Sequence, residues 1–556
     1  MKKKELLFWV MSIGLAAIYA DEKIKDGSGT GLEELGLGDD VLVEIERKRD
    51  RVKKLMAHGV QIFNENSLAR ACNLMMYAPD LREGESYLWL DAIDGTSIVS
   101  HDPQEIWSDI GVVEDDFGFY STRELIKKAL AGGGWYTYRW HNATKTGYVQ
   151  LVEKDGKQYE LGAAYYASSK AEDVISLVKG GVAFFSHVLE DGFDKEIALG
   201  ALAYPRGAFI FGDLYLFVLD ENGKHLVNGE NSGLVGSSGW HVKDAQGKFY
   251  IQEIITRLKD KPVGEGIWVQ YSYKNASKVT YAERIVDNDG KSYFIASGFY
   301  PDITRDAVVN LVAQGYRYLK TYGKTAAKDA FTYESVAGGG FSEFVYGDLN
   351  LFLIDFNGIC VAFGNTPELV GKNLLSITDE SGRFIFKEFI DAVRREDRVW
   401  SGYKKKNAFW SAYLERVDFG YEHFVIGCGF CPNTKKEAMP LMVSAAAAYL
   451  KNNEDRVAFG SFVNTGREYI RGDLKILTLD WEGTCYTWGD DYTRIWRNLS
   501  KLTDQQGKLY VQEMIDAARQ VFGVIGTKEN NSIKTYFVES VIKPKTRYII
   551  GSGYYP

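Results

Sequence analysis

Cysteine and histidine are scarce in this chain, and the patterns missing around them exclude whole classes of chemistry. Five cysteines and seven histidines are scattered through 556 residues. None of the histidines forms an H-x-x-x-H pair or a comparable ligand cluster, so no metal site is expected. A nucleophile elbow, a phosphate loop and a zinc motif are absent as well. No catalytic residue and no cofactor is therefore expected, and the chain does not read as an enzyme. Long basic runs are missing, and the formal net charge is −9. Nucleic acid is accordingly not expected as a partner. Beyond residue 20 no segment reaches the ~18 uninterrupted apolar residues of a membrane helix.

Residues 1–20 have the order of a secretory signal. Lys2, Lys3 and Lys4 precede an apolar core over residues 6–17, and Ile18-Tyr19-Ala20 offers a small-residue cleavage site. The alternative is an uncleaved signal anchor that tethers the chain to a membrane. The expected location is periplasmic or secreted. Residues 21–40 are glycine-rich, acidic and aperiodic, and read as a disordered leader.

What the rest of the chain has is repetition. Residues 212–223 (GDLYLFVLDENG), 347–358 (GDLNLFLIDFNG) and 472–483 (GDLKILTLDWEG) share one register, and 84–95 (GESYLWLDAIDG) is a more divergent copy. The first glycines, Gly84, Gly212, Gly347 and Gly472, lie 128, 135 and 125 residues apart, which is the size of a small domain. After each of the last three copies comes an Asp-x-x-Gly turn and an amphipathic helical pattern, at Asp244, Asp379 and Asp504. Aspartate at that place is expected to cap the helix. Two strand-like runs follow and close on residues 297–301 (SGFYP), 428–432 (CGFCP) and 552–556 (SGYYP), with 163–167 (AAYYA) as the variant of the first copy. Helical stretches over residues 41–76, 170–189, 304–322 and 434–452 lead into the copies. The order predicts an α+β fold of four tandem modules. Each is an antiparallel sheet of about five strands behind a long leading helix, with boundaries at 41–167, 168–301, 302–432 and 433–556. A composition of 45% hydrophobic and 25% charged residues is enough for several cores.

The stretch 365–374 (NTPELVGKNL), followed by Asp379-Glu380-Ser381-Gly382, resembles the single-Cache type-2 domain, a PAS-like extracytoplasmic sensor module. All four copies match that pattern in order. The resemblance implies a pocket between the sheet and its overlying loops for a short carboxylate, an amino-acid-like or a urea-like compound. The family's usual transmembrane and cytoplasmic output segments are not found, and the chain ends just after the last closing strand. Signalling is thus expected to need a separate membrane signalling or transport partner.

Comparison of the copies picks out candidate pocket residues. The second has Trp268, Tyr271 and Tyr273, then Lys278 and Tyr281. The first has Trp135, Tyr138 and Trp140, then Lys145 and Tyr148 at the same offsets. The third keeps Trp400 and Tyr403, with Trp410 at the lysine position. The fourth keeps Lys534 but has Val524 and Thr527 in place of the strand aromatics. A lysine among phenols suits a small anion, since rings that exclude water leave the charge unscreened. The competing reading is that the aromatics pack one face of a sheet and the lysine lies on its rim. Strand alternation separates Trp268 from Tyr271 and Tyr273 unless a bulge intervenes. Binding is expected in residues 41–301.

Cys428-Gly429-Phe430-Cys431 resembles a redox Cys-x-x-Cys. The aligned copies hold Ser297 and Tyr300, or Ser552 and Tyr555, at the same places, which favours drift on a strand end. Three readings remain: an exported small-molecule sensor or solute-capture protein, a structural or adhesive spacer, and a thiol oxidoreductase. Export itself is directly testable. N-terminal sequencing from native envelope fractions should begin near Asp21, and a start at Met1 or Lys2 contradicts cleavage.

Overall fold

The computed structural model describes residues 39–102, 104–204, 207–332, 342–364, 366–432, 434–463, 469–489, 491–544 and 546–555. The signal segment and residues 21–38 of the leader lie outside these. The last two leader positions belong to helix α1 (Asp39–Glu65).

Alternation of side chains builds the first sheet. In β1 (Ser86–Ala92), Leu88 and Leu90 face one way, and Tyr87, Trp89 and Asp91 the other. The leucines meet Val52, Met56 and Phe63 of α1 and Met75 of α2 (Leu68–Tyr77) in one buried cluster. Each such side chain contributes about 1.5–3 kcal/mol on burial. Strand β2 (Ser97–Val99) pairs with β1. Helix α3 (Ser121–Leu130) covers the opposite face, ahead of β3 (Gly134–Trp140), β4 (Ala143–Lys154) and β5 (Lys157–Tyr166). The strand order is β2-β1-β5-β4-β3, antiparallel throughout.

The same order recurs three times. The second sheet has α4 (Lys170–Glu190) and α5 (Lys195–Ala203), then β6 (Phe217–Asp220), β7 (His225–Asn228), α6 (Tyr250–Leu258), β8 (Gly266–Tyr273), β9 (Ala276–Val286) and β10 (Ser292–Phe299). The third has α7 (Arg305–Thr332), bent at Gly323, then β11 (Leu349–Asp355), β12 (Cys360–Phe363), α8 (Ile385–Arg395), β13 (Arg398–Lys405), β14 (Ala408–Phe419) and β15 (Glu422–Phe430). The fourth has α9 (Lys435–Asn452), α10 (Asp455–Val463), β16 (Leu477–Asp480), β17 (Cys485–Trp488), α11 (Tyr510–Ala518), β18 (Phe522–Glu529), β19 (Ser532–Ile542) and β20 (Arg547–Tyr554). The α+β class and the repeated antiparallel sheets expected from the sequence are thus present. No helix among the described residues is long and apolar enough to cross a membrane.

The aspartates of the Asp-x-x-Gly turns do not cap helices, contrary to expectation. The N-cap positions are Phe249, Phe384 and Leu509, without side-chain caps. Each aspartate lies five positions ahead of its helix cap, so the carboxylate organises the loop instead. Asp244 Oδ1 accepts from the amides of Gln246 and Lys248, and Oδ2 accepts from Ser272 N at 3.0 Å on strand β8. Asp379 and Asp504 repeat this with Lys404 N and Lys528 N. One residue ties loop to sheet.

The sheets associate in two compact units. One holds the first and fourth sheets and the other the second and third. Within each unit the joint is reciprocal. The hairpin turns His141-Asn142, Lys274-Asn275, Lys406-Asn407 and Asn530-Asn531 all have positive φ at both positions, as a two-residue turn of this hand requires. Each turn meets the initial glycine of the paired sheet. Gly472 N donates to His141 O at 2.7 Å and Gly84 N to Asn530 O at 2.9 Å. In the other unit Gly347 N donates to Lys274 O and Gly212 N to Lys406 O, both at 2.7 Å. These four glycines have φ of 60–63°. A Cβ on Gly212 would stand 2.5 Å from Cys431 Sγ, and one on Gly472 2.9 Å from Tyr166. Only glycine meets both demands.

Asn275 adds side-chain bonds from Nδ2 to Ser342 O and Val345 O, each at 2.9 Å. Asn275→Ala loses both, at about 1 kcal/mol each, and must hold a left-handed backbone without asparagine's help. The expected outcome is a melting transition lowered by several degrees in calorimetry. Melting together with the wild type would mean that the turn does not hold these sheets together.

Candidate ligand-binding site

The face of the first sheet turned away from α1 opens into a cavity of about 550 Å³, lined also by residues of the fourth sheet. Three side chains of β1 point into it. Trp89 lies where the backbone is bare, since a Cβ on Gly162 would come within 2.2 Å of its indole. Its Nε1 donates to both carboxylate oxygens of Glu160, at 2.9 and 3.1 Å. Tyr87 receives the ammonium of Lys145, which donates to its hydroxyl at 3.0 Å. That ammonium lies 5.1, 5.6 and 5.4 Å from the rings of Tyr87, Trp89 and Tyr166. Lys145 is 6% exposed, and no carboxylate among the described residues pairs with it.

The sequence-derived set divides between two faces. Tyr138 and Trp140 line the cavity with Lys145, and α3 packs against Tyr138 through Leu125 and Ala129. Trp135 and Tyr148 are register partners on the other face, in the α1 cluster, with the Arg49 guanidinium 4.9 Å from the Trp135 ring. The second sheet divides likewise. Trp268 and Tyr281 are partners on one face, with rings 5.1 Å apart. That face carries Leu216 and Ile295 against Gly181 of α4. Tyr271, Tyr273 and Lys278 share the other. Tyr271 stacks on Tyr250 at 4.0 Å, and its hydroxyl meets Thr280 at 3.1 Å.

Lys278 differs from Lys145 in its surroundings. It donates to the Tyr215 hydroxyl at 2.7 Å, and that hydroxyl donates to Glu230 Oε2 at 2.8 Å. Glu230 Oε1 accepts from Lys274 at 2.8 Å. Burial alone would raise the Glu230 carboxyl, but the ammoniums of Lys274 and Lys278 outweigh it and hold it at about 2. Burial pushes Lys278 below the ordinary lysine value, against the attraction of Glu230 and Asp348. Asp348 is itself pushed up to about 7 by burial and by repulsion from Glu230 and Asp213. The second sheet thus supplies its own carboxylate to its lysines.

In the third sheet Trp410 is the register partner of Tyr403 and fills the lysine position. Phe352, Phe386 and Phe389 close the space beneath, and Tyr403 packs against Phe389. Trp400 is on the far face, beneath the Arg305 guanidinium at 4.1 Å. The fourth sheet contributes to the cavity even though its strand aromatics are lost. Lys534 lies 5.1 and 5.0 Å from the rings of Tyr536 and Tyr555, and burial pushes it down against the pull of Glu529 and Asp473. Arg494, over the Trp488 ring, bonds Asp491 and the Tyr510 hydroxyl.

Tyr87, Trp89, Asp91 and the fourth-sheet residues were missed by comparing the penultimate strands alone. A signal for Asp91 was present in the first repeat. At its place the other copies have Leu219, Ile354 and Leu479. Among the described residues no group of histidine, cysteine and carboxylate side chains could hold a metal.

The five cysteines are free and buried. Cys431 packs with Phe211, Ala408 and Trp410, and burial pushes the Cys428 thiol up to about 12. A reactive dithiol needs the opposite shift and access to solvent. The native protein should therefore react with a thiol reagent only after denaturant is added. Rapid modification of Cys428 and Cys431 in the native state would restore the redox reading.

A family model described as Single Cache domain 2 matches residues 51–158 and 195–314, and one described as Cache domain matches 338–408. No curated protein matches the chain. Among solved structures, a methyl-accepting chemotaxis protein from Vibrio parahaemolyticus is 19% identical. The match covers 24% of this chain and 89% of that one, at a TM-score of 0.20. A Cache chemosensory domain solved for the structural basis of its carboxylic acid recognition is also 19% identical, covering 24% and 94% at 0.19. The ligand-binding domain of Pseudomonas fluorescens chemoreceptor CtaA, in complex with L-alanine, is 13% identical, covering 45% and 87% at 0.17.

Proposed function

Because this chain is a tandem Cache-domain protein, we propose that it senses or captures a small polar metabolite in the cavity shared by its first and fourth sheets. Cache domains are extracytoplasmic small-molecule sensors and are ligand-binding rather than catalytic. The observation that carries the proposal is the state of Lys145. Its ammonium is buried in an open cavity among three aromatic rings, with no carboxylate partner among the described residues. A buried charge left so is costly, and an incoming organic anion would offset that cost. Lys278 has less need of one, because Glu230, reached through the Tyr215 hydroxyl, and Asp348 already attract it. The ligand is a short carboxylate or an amino-acid-like compound. Reporting its capture falls to a separate membrane signalling or transport partner.

A thermal-shift screen of the exported chain with organic acids, amino acids and amines should find at least one compound that raises the melting temperature. Lys145→Met should weaken that compound about tenfold to a hundredfold, the worth of a hydrogen bond to a charged group. Lys278→Met should leave its affinity unchanged. Dependence on Lys278 alone would move the site to the second sheet. No shift across the library would favour the spacer reading.

A further inference from the structure

Asp91 and Glu160 stand opposite each other on β1 and β5, as register partners. Their position is occupied in every sheet, and elsewhere it is wholly apolar. The corresponding partners are Leu219 and Phe294 in the second sheet, Ile354 and Val425 in the third, and Leu479 and Ile549 in the fourth. All six of those side chains are buried in the cores of their sheets. The fold therefore has no structural need of carboxyl groups here. The first sheet alone has replaced a core pair by two acids.

The acids are as deeply buried as the residues they replace, at 1% exposure for Asp91 and 0% for Glu160. No lysine, arginine or histidine among the described residues forms an ion pair with either. Glu160 is held by the Trp89 indole, but Asp91 Oδ1 meets no hydrogen-bond donor. The hydroxyl of Ser97, fully buried on the adjoining strand β2, lies beside the Asp91 carboxyl. Both Asp91 and Ser97 line the cavity. Burial and repulsion from Glu105 push Asp91 up to about 8 against hydrogen bonding to Ser97 and Glu160, and burial, repulsion from Asp91 and the contact between the two acids raise Glu160 as well. A group that brings positive charge and N–H donors would relieve both the missing bond and the repulsion.

The acid pair is joined to the lysine through one side chain. The Trp89 ring is within 5.6 Å of the Lys145 ammonium, and its Nε1 is bonded to Glu160. The lysine and the acid pair thus both adjoin a single indole.

We infer that Asp91, backed by Glu160, forms the ammonium-binding end of the cavity, so that its ligand is a short zwitterion whose amine lies against the Asp91 carboxyl while its carboxylate lies against Lys145. The inference rests on the reading of this cavity as the sensor site and narrows it from small polar compounds to amine-bearing ones.

The test uses the full chain and calorimetric titration of matched probes. L-Alanine, β-alanine, γ-aminobutyrate and the other common amino acids are each paired with the acid lacking the amine and the amine lacking the acid. At least one amino acid should bind about tenfold or more tightly than its deamino partner, as expected for charge-assisted hydrogen bonds. Asp91→Asn, close in size, should remove most of that preference while leaving the binding of the deamino acid in place. The ratio between probes in the wild-type chain gives the answer even if the variant fails to fold. Simple carboxylates that bind as well as their amino counterparts, with Lys145 required, would overturn the ammonium site and leave the sensor reading standing. An amino-acid preference unchanged in a folded Asp91→Asn would also overturn it. Binding of none of the probes would remove both.

Discussion

The organisation of the molecule depends on one backbone hydrogen bond, made four times. A glycine amide in a left-handed turn donates to a carbonyl at the tip of the hairpin in the paired sheet. Because each sheet offers both the glycine and the hairpin tip, pairing is reciprocal, as in an isologous dimer. The closing-strand side chains Tyr166, Tyr300, Cys431 and Tyr555 lie beside these glycines, so a side chain at the glycine would collide with the joint at most of them. The cavity of the first sheet borders this joint. Its geometry consequently depends on the fourth sheet as much as on its own strands.

The two units use one scaffold to opposite effect. Around Lys278, the carboxyl groups of Glu230 and Asp348 come from the protein itself, which leaves less for a ligand anion to do. In the third sheet a tryptophan takes the lysine position and several phenylalanines fill the space beneath it. The first sheet retains a buried lysine and adds two acids in place of core residues. Packing remains sound in all four because the leading helices bury the other face independently. A module can therefore gain or lose a polar pocket without losing its fold.

Much of the architecture was legible in the sequence because each sheet's signals are local. The Gly-Asp-Leu strand, the amphipathic helix and the paired closing strands recur at fixed offsets, and the observed strand order follows them. Alternation also placed Tyr271 and Tyr273 apart from Trp268, although Tyr281 and Tyr148 face away from their lysines in the same manner. The role of Asp244 and its counterparts was misread because a cap and a loop anchor share one sequence pattern and differ only in distance to the helix. What the sequence concealed was the pairing of first with fourth. No local period encodes which hairpin meets which glycine, so the contribution of Lys534, Trp488 and Arg494 to the cavity appeared only in three dimensions.

That pairing sets a timetable for the newly made chain. In the unit of the second and third sheets, Asn275 bonds a carbonyl 70 residues away, whereas Asn530 reaches back 446 residues to Gly84. Closing the longer loop costs only about 1.5–2 kcal/mol more than the shorter one, because the entropy grows with the logarithm of length. The delay is the larger matter. The first sheet emerges early, with a lysine and two acids in an unfinished wall, and waits for nearly the whole polypeptide to arrive. A chain interrupted before the fourth sheet thus carries the unit of the second and third sheets, with its first-sheet cavity open on one side. The cavity wall is closed only once the fourth sheet has been made.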